Sequence, residues 1–338
     1  MSDVRLVASF DNGPADAPVL VLANPIGTTL ELWDFQVPVL RRLGFRLLRF
    51  NARGHGGSTA PPGPYSLAEL GTDVLTLLNF YGVESAAFCG VSLGGMTGLW
   101  LAANAPARVT SLVVCCTAVV PMPSRDAWLE RVSLVRSGGM AALRDLVPPR
   151  WFTPGFFQRE PAAAARAVDM LTGCDPEGYA GCAEAIADMD LLPLLGSVKA
   201  PTLVLAGELD PAAPPWQGAS AARAIRGSRF VVVRGTSHFA HYETPGPVTD
   251  AIARHLETRR LPPTSRLHSS TGRRPQAFPE HPAHGVPAPG PAPGVPAPGP
   301  APGVPPRVLL PACRPGPAPG VPARCCCDRA AGASYQDI

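Results

Sequence analysis

Phe88–Gly98, "FCGVSLGGMTG", is the stretch that decides the fold. It places Ser92 between Gly90 and Gly94, after an apolar run and before a helical one. Glycines at these positions remove side chains that would clash in a tight turn between a strand and a helix. The helix N-terminus then directs its dipole and free N–H groups at the serine. The stretch therefore predicts a strand, a strained turn that carries a nucleophile, and a helix; the alternative is a Ser-Gly turn without chemistry.

Strand-like and helical runs alternate over the first 120 residues. "VRLVASF" and "APVLVLAN" are joined through Asp11-Asn12-Gly13, a hairpin signal, so we expect these two strands to pair as an antiparallel edge. Later runs, among them "SAAFCG" and "VTSLVVCCTAVV", are apolar throughout, which is typical of parallel strands covered on both faces. Ser66 and Glu69 predict a capping box at the start of a helix. The pattern predicts an α/β fold with a mostly parallel, doubly wound sheet.

Two segments depart from this alternation. Residues 121–200 are helix-like without a clear strand, which predicts a cap inserted over the carboxyl edge of the sheet, where open α/β sheets bind ligands. The last 77 residues hold 20 of the 42 prolines and repeat "GVPAPGPAP" from Gly285 and from Gly294. We therefore predict one domain over 1–261, with its cap at about 121–200, and a disordered Pro/Ala/Gly-rich low-complexity tail over 262–338.

The charge and the cysteines of the chain argue against several kinds of function. The tail has seven arginines against three acidic residues, and the remainder has 22 basic against 23 acidic residues. The domain is therefore not basic, and we expect no nucleic-acid binding. Cys325, Cys326 and Cys327 are consecutive, unlike zinc ligands, and Cys89, Cys115 and Cys116, which lie in apolar strand-like runs, are predicted to be buried free thiols. Without a signal peptide or a membrane-spanning run, the expectation is a cytoplasmic protein that contacts no membrane and needs no metal.

A serine nucleophile needs a base, and the chain has seven histidines. His238 and His241 follow the strand-like "RFVVVRGT". His238 comes first and is preferred, with His241 as the alternative. His55, in the Gly-rich "ARGHGGS", is predicted to anchor neighbouring loops, and His255, among charged residues on the last helix, is expected to be exposed.

The base in turn needs an orienting acid. Asp210 lies in "GELDPAAPP", just after the strand-like "TLVLAGE", and Glu208 competes with it from a position nearer the strand end. We prefer Asp210, which is followed by a proline in a well-defined loop. The order Ser92, Asp210, His238 is the chain order of α/β-hydrolases.

Two backbone N–H groups are expected to stabilise a tetrahedral intermediate. One is that of Leu93, the residue after the serine. The other comes from the loop "ANPIGTT", where Pro25 has no N–H, so Ile26 is the candidate and Gly27 the reserve.

Several stretches together resemble the bacterial 3-oxoadipate enol-lactonases, an α/β-hydrolase family of the β-ketoadipate pathway of aromatic catabolism. They are "NPIGTTLELWD", "ARGHGGS", "FCGVSLGGMTGLWLAANAP", "GELDPAAPP" and "GTSHFAHYETP", with "GGMAALRDLVPPRWFTP" and "DPEGYAGCAEAI" in the cap. The resemblance covers about 1–260. It implies hydrolysis of 3-oxoadipate enol-lactone to 3-oxoadipate by Ser92, Asp210 and His238, without a cofactor. The chain departs from the family at Asn51, where relatives usually carry Asp, and at Pro25, which replaces a small residue.

The substrate that this resemblance implies is a small lactone that carries a carboxylate. Such a ligand favours a cationic partner in a largely apolar pocket. Arg131 and Arg150 in the cap are the candidate partners, and Trp128 and Trp151 the candidate walls. The alternative for both arginines is a solvated charge on the cap surface. The oligomeric state stays open.

The same residues allow other interpretations of the function. One is a different capped serine hydrolase: an esterase, a cofactor-free perhydrolase or a carbon–carbon bond hydrolase. Another is a non-catalytic ligand receptor on the hydrolase scaffold, because fold does not imply turnover. A haloalkane dehalogenase is disfavoured, since its nucleophile is an aspartate and this chain has Ser92.

Overall fold

The computed structural model describes residues 4–257 and 308–311. Its sheet has the strand order β7-β6-β5-β4-β2-β3-β1-β8. Strands β2 to β7 run parallel, and β1 pairs antiparallel with both β3 and β8. The strands are β1 (Arg5–Phe10), β2 (Val19–Ala23), β3 (Arg46–Phe50), β4 (Ala86–Val91), β5 (Val109–Cys115), β6 (Thr202–Gly207), β7 (Arg229–Val233) and β8 (Val308–Pro311).

Helices cover both faces of this sheet, as the apolar strands predict. In β2, which is buried throughout, side chains alternate between two cores: Leu20 and Leu22 enter one, Val21 and Ala23 the other. The α-helices are α1 (Val37–Arg42), α2 (Leu67–Phe80), α3 (Leu93–Asn104), α4 (Arg125–Gly138), α5 (Pro154–Arg159), α6 (Pro161–Thr172), α7 (Pro176–Ala187), α8 (Pro215–Ala224), α9 (Ala240–Glu243) and α10 (Pro245–Glu257). The predicted α/β-hydrolase fold with a doubly wound, mostly parallel sheet is confirmed.

The expected hairpin between the two N-terminal strands is wrong. β1 pairs with β3, through Ala8 opposite Phe50, and β2 lies inside the sheet between β3 and β4. The wholly apolar β2 suits a position with neighbours on both sides, which a hairpin partner at the edge would not occupy. Asp11 does not form the hairpin turn: its carboxylate accepts a hydrogen bond from the Leu47 N–H at 3.2 Å and pairs with Arg41.

The cap is helical, as its sequence predicts. Helices α4 to α7 and a 3-10 turn at Leu192–Ser197 lie between β5 and β6. Helices α4 and α7 pack on each other and are tied by Arg136, which forms ion pairs with Glu177 and Glu184. Within residues 121–200, all of which the structure describes, there is no strand.

The tail lies outside the described residues except for β8, which extends the sheet beyond β1. Its sequence is the apolar "VLLP", and the edge of β1 offers unpaired N–H and C=O groups to such a strand. Cys325, Cys326 and Cys327 are outside the described residues. Within the described part, the free cysteines Cys89, Cys115, Cys116, Cys174 and Cys182 are buried. No helix in this part is both long and apolar enough to span a membrane.

His255 is the second correction. We expected it to be exposed, but it is buried on α10, with Nε2 3.0 Å from Ser111 Oγ and 3.3 Å from the Pro201 carbonyl oxygen. Its charged neighbours in sequence occupy the outer face of the helix, while His255 shares the inner face with Ile252. Helical periodicity, rather than the charge of the sequence neighbours, decides its exposure.

The capping box of α2 is present as predicted. Ser66 Oγ accepts a hydrogen bond from the Glu69 N–H, and the Glu69 carboxylate accepts one from the Ser66 N–H. Glu69 also pairs with Arg53, which forms a second, buried ion pair with Asp73. These contacts join the start of α2 to the loop after β3.

Candidate active site

Ser92 lies on a sharp turn between β4 and α3. Its backbone has φ 52° and ψ −117°, a conformation that is strained for a residue with a Cβ. The turn is tight because Gly90 and Gly94 lack side chains. A Cβ on Gly90 would lie 2.3 Å from the Gly94 carbonyl carbon and oxygen, and one on Gly94 would lie 2.3 Å from the Ala23 carbonyl oxygen. The two glycines are therefore required by the close approach of α3 to β2 and β4.

His238 and Asp210 come from the loops after β7 and β6. The two strands are parallel neighbours, so both loops leave the same edge of the sheet as the turn at Ser92. His238 Nδ1 donates to Asp210 Oδ2 at 2.8 Å, and the other Asp210 oxygen accepts from the N–H groups of Ala212 and Ala213. The Asp210 side chain is fully buried, and its hydrogen bond with Nδ1 directs His238 Nε2 away from the acid.

The alternative acid, Glu208, and the alternative base, His241, make different contacts. The exposed Glu208 accepts a hydrogen bond from the Gly235 N–H at 2.8 Å. His241 is buried against the Trp33 ring, 5.0 Å between centroids, and neither ring nitrogen has a partner among the described residues. Burial, with a smaller repulsion from His238, lowers the pKa of His241 to about 3.

Of the two residues expected to supply N–H groups to the anionic intermediate, Leu93 follows Ser92 directly and Ile26 lines the same pocket as Ser92. Leu93 is the first residue of α3, where an N–H has no carbonyl one turn earlier. The reserve candidate Gly27 donates its N–H to His55 Nε2 at 2.9 Å, and His55 Nδ1 donates to the Arg53 carbonyl at 2.7 Å. His55 is thus the predicted loop anchor, and its bond with Gly27 leaves Ile26 as the candidate in this loop.

A pocket between sheet and cap contains the predicted residues. Its empty space is about 510 Å³, a figure that includes the solvent at its open mouth. The lining is mainly apolar: Ile26, Ser92, Met96, Ala118, Met122, Trp128, Arg131, Val147, Arg150, Trp151, Tyr179, Ile186, Ala212, Ala213 and His238. The structure therefore brings Ser92 and His238 together with all four predicted cap residues.

The charge in this pocket is positive. Arg131 lies over the Trp128 ring, 4.4 Å from its centroid, and Arg150 donates to the Pro211 carbonyl at 3.2 Å. Within residues 4–257, neither arginine forms an ion pair and no carboxylate lines the pocket. Burial, with repulsion from Arg131, lowers the pKa of Arg150. Two cations that repel each other in a part-buried pocket favour an anionic ligand.

Sequence reasoning missed Tyr179, a pocket residue on α7. Its hydroxyl is buried; burial raises its pKa, and the neighbouring Arg131 guanidinium opposes this shift. Gly178 lets α7 approach the loop after β3 closely, since a Cβ there would lie 2.3 Å from Gly54 Cα. The sequence does offer an indication of this role. Tyr179 is the single aromatic residue in "EGYAGCAEA", a stretch rich in small residues, and small residues are expected where a helix packs closely on its neighbours.

The family departure at Asn51 has a structural role. Its Oδ1 accepts from the Leu30 N–H at 2.7 Å, and its Nδ2 donates to the Gly56 carbonyl at 3.1 Å. An aspartate has no donor for that carbonyl. Pro25, the other departure, precedes Ile26, and its carbonyl accepts from Thr28 Oγ1 at 2.8 Å.

Comparisons with known proteins agree with this architecture. A family model for the alpha/beta hydrolase fold matches residues 18–174, and one for TAP-like protein matches 184–267. The 3-oxoadipate enol-lactonase 2 of Acinetobacter baylyi is 37% identical over 240 residues, 71% of this chain and 89% of that protein. The enol-lactonase 1 of the same organism is 34% identical and covers 69% of this chain and 86% of its own length.

A solved structure of an enol-lactonase is also similar to this chain, both in fold and in sequence. The enol-lactonase from Burkholderia xenovorans LB400 superposes with a TM-score of 0.73 and 40% identity, over 75% of this chain and 97% of that one. The chain therefore belongs to the 3-oxoadipate enol-lactonase family of α/β-hydrolases and is a carboxylic-ester hydrolase.

Proposed function

We propose that the chain hydrolyses 3-oxoadipate enol-lactone to 3-oxoadipate, with Ser92 as nucleophile, His238 as general base and acid, and Asp210 as orienting acid. The observation that carries the proposal is one pocket holding Ser92, an Asp210-bonded His238 and two arginines without carboxylate partners. The enol-lactonase relatives support the choice of substrate.

The first step is acylation. His238 Nε2 takes the hydroxyl proton as Ser92 Oγ attacks the lactone carbonyl. Asp210 keeps Nδ1 protonated, so that Nε2 is free to accept, and stabilises the imidazolium that forms. The carbonyl oxygen becomes an oxyanion, which accepts hydrogen bonds from the N–H groups of Leu93 and Ile26. Each such donor contributes about 3 kcal/mol to transition-state stabilisation.

Ring opening and deacylation use the same base. Collapse of the tetrahedral intermediate breaks the ring C–O bond, and the imidazolium of His238 returns its proton to the departing enol oxygen. Water, deprotonated by His238, then attacks the acyl-enzyme and releases Ser92. The enol product relaxes to the ketone of 3-oxoadipate, so no redox step and no cofactor enter this sequence.

The arginines explain selectivity in this proposal. Arg131 and Arg150 attract the acetate carboxylate of the lactone, while Trp128 and Trp151 form apolar walls. The buried hydroxyl of Tyr179 lines the same pocket and is a further donor for a polar group of the ligand.

The test is a lactone-hydrolysis assay of the full chain and of Ser92→Ala. We expect the wild-type protein to open the enol-lactone and the variant to lose at least about 10⁴-fold in kcat. Circular dichroism of both proteins checks that the variant is folded. Turnover of the lactone by Ser92→Ala at the wild-type rate rejects the serine mechanism.

A second ester separates the alternatives. p-Nitrophenyl acetate has no carboxylate, so a general esterase turns it over at least as well as the lactone. We expect kcat/KM for the lactone to be the larger by at least about 100-fold, in line with one or two charge-assisted hydrogen bonds. Turnover of the aryl ester alone identifies an esterase. Turnover of neither ester favours a non-catalytic ligand receptor.

A further inference from the structure

The loop that carries His238 is bonded directly to the cap. Ser237 Oγ donates to the Arg150 carbonyl at 3.2 Å, and the Phe239 N–H donates to the Trp151 carbonyl at 2.9 Å. His238 therefore lies between two residues that are both hydrogen-bonded to the cap segment that lines the pocket.

Glu243, on α9, bridges the same two segments with its carboxylate. Oε2 accepts from the Ser237 N–H at 2.9 Å. Oε1 accepts from the Thr153 N–H at 3.2 Å and from Thr153 Oγ1. The Glu243 side chain is buried, and in the described residues it has no cationic partner, so these neutral donors alone compensate its desolvation.

Ring stacking runs parallel to these bonds. The Trp151 ring stacks on Phe239 with centroids 4.5 Å apart and planes at 21°. Phe239 in turn stacks on His238, 5.7 Å away and at 28°. A wall of the pocket and the imidazole thus form one packed column.

We propose that Glu243 is a positioning residue, which clamps the His238 loop to cap residues 150–153 so that the base and the pocket wall keep one relative position. This inference rests on the proposed role of His238 as base. A carboxylate is required because both oxygens accept hydrogen bonds. A glutamine retains one acceptor oxygen, but its NH₂ group then faces an N–H donor.

The test compares Glu243→Gln with Glu208→Gln in the full chain. Glu208 is a matched control, because it also accepts a backbone N–H near the same loop but forms no hydrogen bond or ion pair with the cap among residues 4–257. Kinetics use p-nitrophenyl acetate, whose acylation does not depend on lactone recognition. Hydrogen exchange by mass spectrometry follows peptides over 150–153 and 237–239 and needs no activity.

We expect Glu243→Gln to lower kcat by about 10- to 100-fold at nearly unchanged KM, because a displaced base slows chemistry without removing ligand contacts. Exchange should accelerate in both peptides together. Glu208→Gln should stay within about twofold of wild type. If Glu243→Gln does not fold, Thr153→Val, which removes one donor of the clamp, should give a smaller loss of kcat with the same paired exchange.

Several results overturn the clamp. One is a folded Glu243→Gln with kcat within about twofold of wild type. Others are faster exchange in only one of the two peptides, or an equal effect of Glu208→Gln. Failure of the proposed function looks different: the wild type hydrolyses the aryl ester but not the lactone. If it hydrolyses neither, paired exchange alone supports or rejects the clamp.

Discussion

At the residue scale, the reactivity proposed for the Ser92 hydroxyl depends on side chains that are distant from it in the chain. Ser92 and His238 line one pocket, and Asp210 holds the imidazole by a single hydrogen bond of 2.8 Å. Asp210 is itself oriented by the N–H groups of Ala212 and Ala213, so its carboxylate has a defined direction before any ligand binds.

Asp210→Asn tests this dependence. The amide preserves shape, but its NH₂ donates to His238 Nδ1 and leaves the proton on Nε2, the wrong tautomer for a base. We expect kcat for the lactone to fall by about 10⁴-fold. Steady-state assays at pH 7 measure the effect. If Glu208→Gln loses this activity and Asp210→Asn keeps it, the acid has been assigned to the wrong residue.

Arg131→Met tests the anion site. Loss of a charge-assisted hydrogen bond worth about 1.5–3 kcal/mol should lower kcat/KM for the lactone by about 10- to 100-fold, mostly through KM. p-Nitrophenyl acetate should be nearly unaffected. Arg125→Met, on the same helix but paired with Asp188 at the surface, is the matched control. Equal losses with both esters contradict carboxylate recognition.

At the element scale, the turn between β4 and α3 depends on backbone contacts that leave no room for side chains. Gly90 approaches the backbone of Gly94, and Gly94 approaches β2. The positive φ of Ser92 is tolerated because these neighbours hold the turn. The strain belongs to the whole strand–turn–helix unit rather than to the serine alone.

Gly90→Ala is therefore expected to destabilise the fold. Its Cβ would meet the Gly94 carbonyl at 2.3 Å, and relief requires α3 to move as a unit. We expect the free energy of unfolding to fall by about 2–3 kcal/mol. Urea titration measures it, with Gly196→Ala as control because nothing lies within 4 Å of a Cβ there. Equal free energies of unfolding for the two variants would show that the turn between β4 and α3 can accommodate a Cβ at position 90.

At the scale of the whole molecule, the parallel sheet places three strand ends at one edge and the cap closes over them. Packing of the loop after β7 against Trp33 buries His241 without hydrogen bonds to its ring nitrogens from the described part of the chain, and its pKa falls from 6.5 to about 3. Burial also lowers the pKa of His55. Below pH 6.5 the unfolded chain binds protons that the folded chain does not, so stability is lost between pH 6.5 and pH 3.

His241→Phe should reduce this acid sensitivity. A pKa of about 3 in the folded state implies that His241 accounts for about 2 kcal/mol of stability lost between pH 7 and pH 5. The variant should therefore lose about that much less over the same interval, measured by urea unfolding at both values. An identical pH dependence in the two proteins would mean that His241 titrates normally in the fold.

Local patterns predicted much of this protein. The turn at Ser92, the capping box at Ser66 and the helical cap depend on residues close in sequence, where steric and hydrogen-bonding preferences act directly. The choice of His238 over His241, and of Asp210 over Glu208, followed from position relative to strand ends, which a parallel sheet brings to one edge. Their roles in the reaction stay predictions.

The amino-acid sequence alone determined the fold class, the helical character of the segment between β5 and β6 and the family, because these depend on periodicity and on short motifs. The tertiary structure decided that β1 pairs with β3 rather than β2, that His255 is buried, that Tyr179 enters the pocket and that Glu243 joins the His238 loop to the cap. Each of these is a contact between segments distant in the chain, and such contacts form only when the helices and strands pack together.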